Sequence, residues 1–286
     1  MTIAITGASG HLGRATANIV LRAVDPREVV LTTRHPEALA DFAARGATVR
    51  RVDFDDSRTL DTAFTGVERL LLISTDAVGS RLDQQRAAIA AAAGAGVRHV
   101  VYTSVPDPVP ANPALVVADH AGTEQALRDS TMRWTMLRNN LYAHMQVPGI
   151  AEAVASGRFV TNGGAGATAY VTREDCAAVA AAVLTQDGHE GRVYDITGPA
   201  ALRAADLGVI ARELGGRDIE LISVDDATFE AGLRAAGLPY EAVALVTSFG
   251  AATRDGFLAN VSSAVVDLTG HPPTALEDVV RAALKT

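Results

Sequence analysis

Short runs of apolar and β-branched residues alternate with longer helix-like stretches through the first half of the chain. This alternation is typical of a parallel sheet covered by helices on both faces. The apolar runs predict strands at 2–6, 28–33, 48–52, 69–74, 98–103 and 133–138. The intervening stretches predict helices near 12–23, 36–45, 57–64, 81–95 and 117–129. Six strands with five crossovers predict a doubly wound, Rossmann-type α/β domain over residues 1–140.

The pattern changes after about residue 140. A glycine-rich segment at 163–166 precedes a helix predicted at 173–185 and a strand predicted at 192–196. Further helices are predicted at 203–214, 225–236 and 275–284. Because strands are fewer here, we expect residues 141–286 to form a smaller α+β lobe, with 173–185 packing back on the first domain. A ligand cleft is expected between the halves.

Composition and charge narrow the function classes. Of the 286 residues 48% are hydrophobic and 20% charged, which is enough to bury a large core. The formal net charge of -8 disfavours nucleic-acid binding. The first residues show no leader pattern and no stretch is long enough for a membrane span, so a cytoplasmic location is expected. Cys176 is the only cysteine, which excludes an intrachain disulfide and fits a core position.

The first predicted strand runs into the glycine motif G-x-x-G-x-x-G, formed by Gly7, Gly10 and Gly13, which opens a helix. In this context backbone N–H groups and the helix dipole can face a pyrophosphate without obstruction by a Cβ atom. The alternative is a plain strand-to-helix turn, but such a turn seldom needs three glycines at this spacing. The motif therefore predicts a dinucleotide site.

The end of the second predicted strand bears on the choice between NAD and NADP. Sites selective for NAD carry an acidic residue here that binds the ribose 2′-hydroxyl, whereas this strand ends in Thr33-Arg34. Arg34 could bind a 2′-phosphate, with Thr33 as a hydroxyl donor, or it could be a solvated residue before a proline. We expect NADP(H). Asp53 and Asp55 follow the third strand, where they could border the adenine or cap a turn.

One familiar reductase mechanism is excluded. Short-chain dehydrogenases use a tyrosine with a lysine four residues later as the proton donor for carbonyl reduction. Lys285 is the only lysine, and four residues after the five tyrosines stand Pro106, Gln146, Glu174, Gly198 and Ala244. The seven histidines are dispersed and H-E-x-x-H is absent, so neither a metal site nor hydrolysis is predicted. Hydride transfer to a more electrophilic acceptor, such as a quinone, stays open.

Further motifs accompany the segment Ile5–Gly13. They are Leu70–Ser74, Tyr102–Ser104, Asp119-His120 with Thr123-Glu124, Leu137–Tyr142, and Gly188–Gly191 with Val193-Tyr194. Together they resemble the NmrA-like, atypical short-chain dehydrogenases, and among these the bacterial NAD(P)H:quinone oxidoreductases of type 2. The resemblance covers nearly the whole chain. It implies a Rossmann-type fold, an NADPH cofactor and a small quinone substrate, and it is compatible with a homodimer, since dimers are common in the group.

The resemblance also implies the cofactor contacts. The glycine loop and Arg34 would bind NADPH. Ser74 and Thr75, after the fourth strand, would line the path to the nicotinamide ribose. The segment 138–142, leaving the sixth strand, would form the nicotinamide and substrate side of the pocket. A strand-ending turn is the other explanation for Asn139-Asn140. The cofactor-binding residues implied are Thr6, Gly7, Ser9, Gly10, His11, Leu12, Gly13, Arg34, Ser74, Thr75, Arg138, Asn139, Asn140, Leu141 and Tyr142.

Two residues are candidates for catalysis. His120 occupies the position where some relatives carry a lysine, and helical spacing places it on one face with Glu124, whose carboxylate could raise the proton affinity of the imidazole. The pair could equally be an exposed one without catalytic consequence. Asn162 could touch a quinone oxygen, or be a turn residue. Tyr170, Arg173 and Asp175 resemble the segment that enters the helix packed against the cofactor domain.

Three functions are compatible with these observations. The first is NADPH-dependent reduction of a small quinone in the cleft, without flavin or metal. The second is a non-catalytic NADP(H) redox sensor, which the missing Tyr–Lys pair also explains. The third is reduction of another activated acceptor, such as an enone or imine.

Overall fold

Eleven strands occur in residues 1–285, the part of the chain that the computed structural model describes. Their bounds in chain order are β1 (Ile3–Ile5), β2 (Val29–Thr33), β3 (Thr48–Arg51), β4 (Arg69–Leu72), β5 (His99–Ser104), β6 (Arg133–Asn139), β7 (Arg158–Thr161), β8 (Ala167–Thr168), β9 (Arg192–Ile196), β10 (Leu202–Arg203) and β11 (Glu220–Ser223). Seven of them form one parallel sheet in the order β3-β2-β1-β4-β5-β6-β9. The others form two pairs, β8 with β10 and β7 with β11.

Twelve α-helices are found over the same residues. Their bounds are α1 (His11–Ala23), α2 (Ala40–Ala44), α3 (Ser57–Leu60), α4 (Arg81–Gly94), α5 (Val117–Arg128), α6 (Val147–Ser156), α7 (Arg173–Thr185), α8 (Ala204–Gly215), α9 (Asp226–Ala235), α10 (Tyr240–Arg254), α11 (Ala264–Thr269) and α12 (Leu276–Leu284). Short 3₁₀ helices cover Pro26–Glu28, Pro36–Leu39 and Ala143–Gln146. None of the helices in residues 1–285 is both long and apolar enough to cross a bilayer.

Helices cover both faces of the sheet. Successive strand residues point to opposite faces, so each strand contributes side chains to both apolar clusters. Ile3 and Ile5 of β1 join a cluster with α1 and α7, whereas Ala4 joins a second cluster with α4 and α5. In β4, Leu71 lies in the first cluster, and its two leucine neighbours lie in the second. Continuous apolar runs are what such a two-sided sheet requires.

The predicted fold class is confirmed. All six strands predicted in the first 140 residues are present, and each boundary lies within two residues of its predicted place. One of these boundaries has a clear chemical cause. β4 ends at Leu72 rather than at residue 74, because the N–H groups of Ile73 and Ser74 donate to side-chain hydroxyls of Thr6 and Thr103, at 2.8 and 2.9 Å, instead of to a strand.

Two predicted helices are wrong in extent. The helix expected at 36–45 is a 3₁₀ turn followed by the short α2, and the one expected at 57–64 ends at Leu60. After Leu60 come Asp61 and Thr62, which are weak helix formers. The helices expected at 173–185, 203–214, 225–236 and 275–284 are present, with boundaries shifted by at most one residue.

The second half of the chain contributes to both layers. The strand predicted at 192–196 is β9, which extends the main sheet by pairing with β6, and α7 packs against the same face of the sheet as α1. Most of the remaining elements form a lobe around the cluster of Ile150, Phe159, Leu207 and Val280, with α10 in an adjoining cluster. Within that lobe, α6, α10 and the two strand pairs were not predicted from the sequence pattern. Helix α11, which was also not predicted, packs on α7 instead.

Candidate cofactor and substrate site

A cavity of about 600 Å³ opens at the carboxyl ends of the central strands. It extends from the end of β2, over the loop after β1, to the ends of β4 and β5. The chain runs outward from β1 toward β3 on one side and from β4 toward β6 on the other, so the cavity lies where the strand order reverses. Doubly wound sheets bind their ligands in the crevice at this point.

The structure brings ten of the fifteen predicted cofactor-binding residues together in the lining of this cavity. These ten are Gly7, Ser9, Gly10, His11, Leu12, Gly13, Arg34, Ser74, Thr75 and Tyr142. The other five, Thr6, Arg138, Asn139, Asn140 and Leu141, do not line it.

The glycine loop has the shape that a diphosphate needs. Gly7 adopts a φ of +58°, which side-chain-bearing residues rarely adopt. A Cβ atom on Gly13 would lie 2.4 Å from the carbonyl oxygen of Gly7, so α1 packs directly on the loop. Gly10 caps α1 without a side-chain hydrogen bond, and the first turn holds no acidic residue. The N–H groups and positive end of α1 therefore face the cavity uncompensated, as an anion site requires.

Thr6 has a different position. It is buried, its hydroxyl donates to the carbonyl of Leu71 at 3.2 Å, and it accepts from the N–H of Ile73. It fastens the ends of β1 and β4 together and thereby fixes the direction in which the glycine loop leaves the sheet.

Hydroxyl groups and a guanidinium surround the end of the cavity beside β2. Ser9 and Thr33 share a hydrogen bond of 2.7 Å between their hydroxyls, and Thr33 also accepts from the N–H of His35. Arg34 is exposed and forms no ion pair with any of residues 1–285. No acidic side chain follows β2 itself, so Arg34 and the two hydroxyls can donate to a phosphate, while Asp53 and Asp55 after β3 border the same end.

The opposite end of the cavity is lined by residues after β4 and at the end of β5. The hydroxyl of Thr103 donates to Ser74 Oγ at 3.2 Å, and Thr75 donates to Gln84 Oε1 at 2.7 Å. Tyr142 closes this end, with its ring stacked on His144 at 5.7 Å between centroids. Burial raises the pKa of Tyr142 above its ordinary value, so the phenol stays protonated.

Most of the segment leaving β6 connects other elements to the sheet. The Asn140 side chain donates to the carbonyl of Leu258 at 3.0 Å and accepts from the N–H of Leu141, and its neighbour Asn139 is buried with an unpartnered Oδ1. Only Tyr142 of this segment reaches the cavity lining.

Arg138 binds Glu124 rather than lining the cavity. Glu124 is 1% exposed and accepts from Arg138 at 2.9 and 3.0 Å, from Arg128 at 2.8 Å and from Ser104 at 2.7 Å. Burial alone would raise the pKa of Glu124, but the hydrogen bonds from Arg138 and Ser104 outweigh it and lower the pKa below its usual value. Glu124 is therefore a carboxylate that joins α5 to the ends of β5 and β6.

The expectation that Glu124 raises the proton affinity of His120 is wrong. His120 is 3% exposed, its Nδ1 lies 2.8 Å from the Tyr102 hydroxyl, and its Nε2 lies 3.1 Å from Arg81 Nη1. Because a guanidinium can only donate, Nε2 accepts and the imidazole is neutral. Burial first, and the charge of Arg81 second, lower the pKa of His120 to about 3. His120 does not line the cavity.

Buried neutral histidines predict a loss of stability in acid. Burial lowers the pKa of His99 to about 4 as well. Between about pH 6.5 and these folded-state pKa values the unfolded chain binds more protons, so each histidine should reduce the free energy of unfolding by about 1.4 kcal/mol per pH unit as the pH falls. Urea unfolding between pH 7 and pH 5 measures this slope. His120→Gln should lessen it by one histidine's share, and an unchanged slope would contradict the assignment.

Asn162 does not reach the cavity lining either. It is 3% exposed, and its amide donates to Asp226 Oδ1 at 2.8 Å and to the carbonyl of Thr247 at 3.0 Å. Arg254 donates both to the Asn162 carbonyl and to Asp226. The side chain thus connects the loop after β7 to α9 and α10.

Several cavity residues were not identified from the sequence as ligand contacts. Thr103, Gln84 and Arg173 line the cavity, and Arg173 was noted only as part of the segment entering α7. Thr103 lies near the end of a predicted strand, beside the switch point, and that position is the signal that could have identified it. Asp53 and Asp55 do border the cavity, at the end beside Thr33.

Comparison with known proteins independently supports a dinucleotide-binding site in this cavity. Residues 7–187 match the family model described as NAD(P)H-binding. The chain is 35% identical over 278 residues to quinone oxidoreductase 2 of Escherichia coli, covering 97% of each chain. The crystal structure of the NADPH-dependent quinone oxidoreductase of that organism, complexed with NADPH, superimposes with a TM-score of 0.94 at 35% identity, over 99% of this chain and 100% of that one.

Two other relatives also align over nearly the full length. One is the (4-alkanoyl-5-oxo-2,5-dihydrofuran-3-yl)methyl phosphate reductase of Streptomyces griseus, 35% identical over 284 residues with 96% and 95% of the two chains covered. The other is an NmrA-like family domain-containing oxidoreductase of Aspergillus flavus, 28% identical over 293 residues with 99% and 95% covered. With the glycine loop, the switch-point cavity and the seven-stranded sheet, these matches show that the chain belongs to the NAD(P)H-binding family, in the NmrA-like group that includes quinone oxidoreductase 2.

Proposed function

We propose that the protein is an NADPH-dependent quinone reductase that transfers a hydride to a small quinone bound in the cleft. The observation that carries the proposal is one continuous cavity that extends from Arg34 past the glycine loop to Tyr142. Its donors suit a phosphorylated dinucleotide along its whole length. The full-length similarity to a quinone oxidoreductase supports the same acceptor.

The residues of the cavity fit NADPH. The uncapped start of α1 and the glycine loop would bind the diphosphate, and Arg34 with Ser9 and Thr33 would bind the 2′-phosphate. Ser74, Thr75 and Thr103 would orient the nicotinamide half. When bound, NADPH supplies the hydride, and the protein supplies orientation and a water-poor surrounding.

Formation of the hydroquinone needs no dedicated proton donor from the protein. Transfer of one hydride from NADPH to a quinone completes the two-electron reduction and leaves NADP⁺ and a hydroquinone anion, which then takes a proton from water. We therefore assign His120 and Asn162 to positioning. His120 holds Arg81, whose Nε donates to the Thr75 carbonyl, and so supports the cavity wall after β4. Asn162 connects α9 and α10 to the loop after β7 within the second lobe.

We further propose that Leu141 forms the acceptor side of the cleft, with Asn139, Asn140 and Arg138 fixing its position. Leu141 packs against an apolar cluster from the loop after β5 and from α10, to which Val105, Leu245 and Phe249 also belong. Leu141 itself does not line the cavity, but it directly precedes Tyr142, which does, so this apolar cluster adjoins the nicotinamide end and suits a planar quinone ring.

The direct test is oxidation of NADPH with a panel of benzoquinones and naphthoquinones, followed by absorbance at the nicotinamide band. Turnover of several members is the expected result. Cofactor binding without turnover of any quinone would contradict the proposal and favour a redox sensor instead. In that case, a difference between the Kd values for NADP⁺ and NADPH would support the sensor.

A second candidate is reduction of another activated acceptor. The Streptomyces griseus relative, named for an unsaturated furanone phosphate, has the same percentage identity to the chain as the quinone oxidoreductase, 35%. Both acceptors are electron-poor conjugated systems. The same assay with alkylidene and butenolide acceptors distinguishes the two, and preference for them over all quinones would replace the first proposal.

Arg34 should determine the choice of cofactor. Arg34→Ala should raise the Kd for NADPH by about ten- to a hundredfold, since a charge-assisted hydrogen bond contributes about 1.5–3 kcal/mol. NADH, which lacks the 2′-phosphate, should bind the variant as it binds the wild type. Isothermal calorimetry with both cofactors gives the comparison, and equal weakening for both would show that Arg34 acts elsewhere.

We propose a cytoplasmic location and a homodimeric state as the finer parts of the same function. The lone buried thiol of Cys176 suits a reducing compartment. Sedimentation equilibrium of the purified protein decides between monomer and dimer.

A further inference from the structure

Arg173 lies at the beginning of α7, next to the beginning of α1. α1 starts at the loop after β1, on the carboxyl edge of the sheet. α7 starts after Val171, which bridges to Tyr142 beyond the end of β6, and it ends near Leu184, whose carbonyl accepts from Arg69 at the start of β4. The two helices therefore run in the same direction, and their positive ends meet at the same edge.

The guanidinium of Arg173 lacks the kind of partner that other arginines here possess. Arg14 is paired with Asp41 and Arg138 with Glu124, whereas Arg173 forms neither a hydrogen bond nor an ion pair with any of residues 1–285. Its contact is the face of the Tyr142 ring, 5.3 Å from the centroid. It is half-buried and lines the cavity.

Nearby acidic residues do not neutralise this charge. Asp175 accepts from the Thr172 hydroxyl at 2.6 Å and from the N–H of Thr274 at 2.9 Å, so it is engaged away from the cavity. Glu174 is exposed and makes no ion pair with Arg173, although the two residues and His144 line the same small second cavity. Burial is the main cause that lowers the pKa of His144, and the charge of Arg173 adds to it while Glu174 opposes it.

We propose that Arg173 binds the cofactor phosphate nearer the nicotinamide, so that the diphosphate lies between the ends of two helices and a guanidinium. This deepens the proposed function and rests on NADPH being the cofactor. Apart from Tyr142 and Arg173, the residues lining the cavity all precede position 104. Arg173 is therefore the charged contact that the second half of the chain provides to the cofactor. Tyr142 holds the guanidinium in place through the cation–π contact.

Three ligands separate the phosphate contacts. NADPH and its nicotinamide-free analogue, 2′-phospho-ADP-ribose, both carry the full diphosphate. Adenosine 2′,5′-bisphosphate keeps the adenosine-side phosphate and lacks the second one. Isothermal calorimetry of each with the full-length protein reports binding without any need for turnover.

Arg173→Met keeps an apolar stem over Tyr142 and removes the charge. It should raise the Kd for NADPH and for 2′-phospho-ADP-ribose by about ten- to a hundredfold, and leave adenosine 2′,5′-bisphosphate within about threefold of the wild type. Arg173→Lys should recover part of the loss. Arg22→Ala, in the exposed last turn of α1, changes net charge equally at the far end of the helix and should bind all three ligands normally.

Each other outcome overturns the proposal. Unchanged binding of all three ligands by a folded Arg173→Met shows that no phosphate contact exists. Weakened NADPH with unchanged 2′-phospho-ADP-ribose places Arg173 at the nicotinamide, and equal weakening of all three shows a non-local effect. If the wild type fails to reduce quinones while Arg173→Met shows the expected difference between ligands, only the proposed function is contradicted. If the wild type reduces quinones and Arg173→Met lacks that difference, only this inference is contradicted.

Discussion

Replacing Gly13 with alanine should weaken NADPH binding by about two orders of magnitude or more. The added Cβ would lie 2.4 Å from the Gly7 carbonyl oxygen and 2.8 Å from the Ala8 Cα. Both obstacles are backbone atoms of the phosphate-binding loop, so either the loop or α1 must move. Displacing N–H groups from the diphosphate loses at least two charge-assisted hydrogen bonds of about 1.5 kcal/mol each, so the Kd should rise by about a hundredfold or more.

Gly208→Ala is the matched control for Gly13→Ala. Gly208 lies inside α8, and a Cβ there would meet nothing within 4 Å. It should raise the free energy of unfolding by about 0.5–1 kcal/mol and leave the Kd unchanged, because alanine is the better helix former. Calorimetric titration with NADPH and urea unfolding of both variants give the two readouts. A Gly13→Ala protein that binds NADPH normally would show that the loop does not hold the diphosphate.

Glu124→Ala should destabilise the protein by about 3–5 kcal/mol, because removing one partner of a buried ion pair leaves the other charge uncompensated. The carboxylate is the common acceptor for Ser104, Arg128 and Arg138, and its loss leaves the half-buried guanidinium of Arg138 without its partner. At about 2–4 °C per kcal/mol, the thermal midpoint should fall by about 6–20 °C.

The pair Glu230 and Arg234 supplies the comparison for Glu124. It has the same i, i+4 spacing as Glu124 and Arg128, but lies on the surface of α9. Glu230→Ala should therefore change the free energy of unfolding by less than about 1 kcal/mol. Differential scanning calorimetry at pH 7 measures both variants. If the two variants lost similar stability, Glu124 could not be the junction between α5 and the sheet.

The sheet and the phosphate loop were predictable because their signals are local. A strand, a turn and the start of a helix are all predicted within a dozen residues by Ile3–Ile5 and the glycines Gly7, Gly10 and Gly13. The absence of an acidic residue at Thr33-Arg34 is equally local, and Arg34 does line the cavity.

The roles of His120 and Asn162 were not predictable in the same way, because their partners are distant in sequence. Helical spacing correctly places His120 and Glu124 in one helix, yet it does not reveal that Arg81 and Tyr102 occupy the imidazole while Arg138 occupies the carboxylate. Each of those partners comes from another element, and burial reverses the expected direction of the pKa shift of His120.

Helix α10 escaped prediction for a different reason. Its sequence intersperses alanine, glycine, serine and threonine among the apolar residues, so no clear apolar stripe identifies it. The helix is held instead by contacts such as that of Asn162 with Thr247, 85 residues away in the chain. Signals of this kind arise only when the lobe is assembled.

The route of the chain between its halves limits how new acceptor preferences can evolve. After β6 the polypeptide leaves the sheet, returns as α7 and β9, and later packs α11 against α7. A recombination crossover at residue 140 would remove an edge strand and a covering helix from the first half of the chain, exposing the apolar face of the sheet that Val179 and Val183 cover. Chimeras that trade whole lobes between relatives would thus need several junctions. Diversification of this architecture is channelled toward single substitutions around the mouth of the crevice.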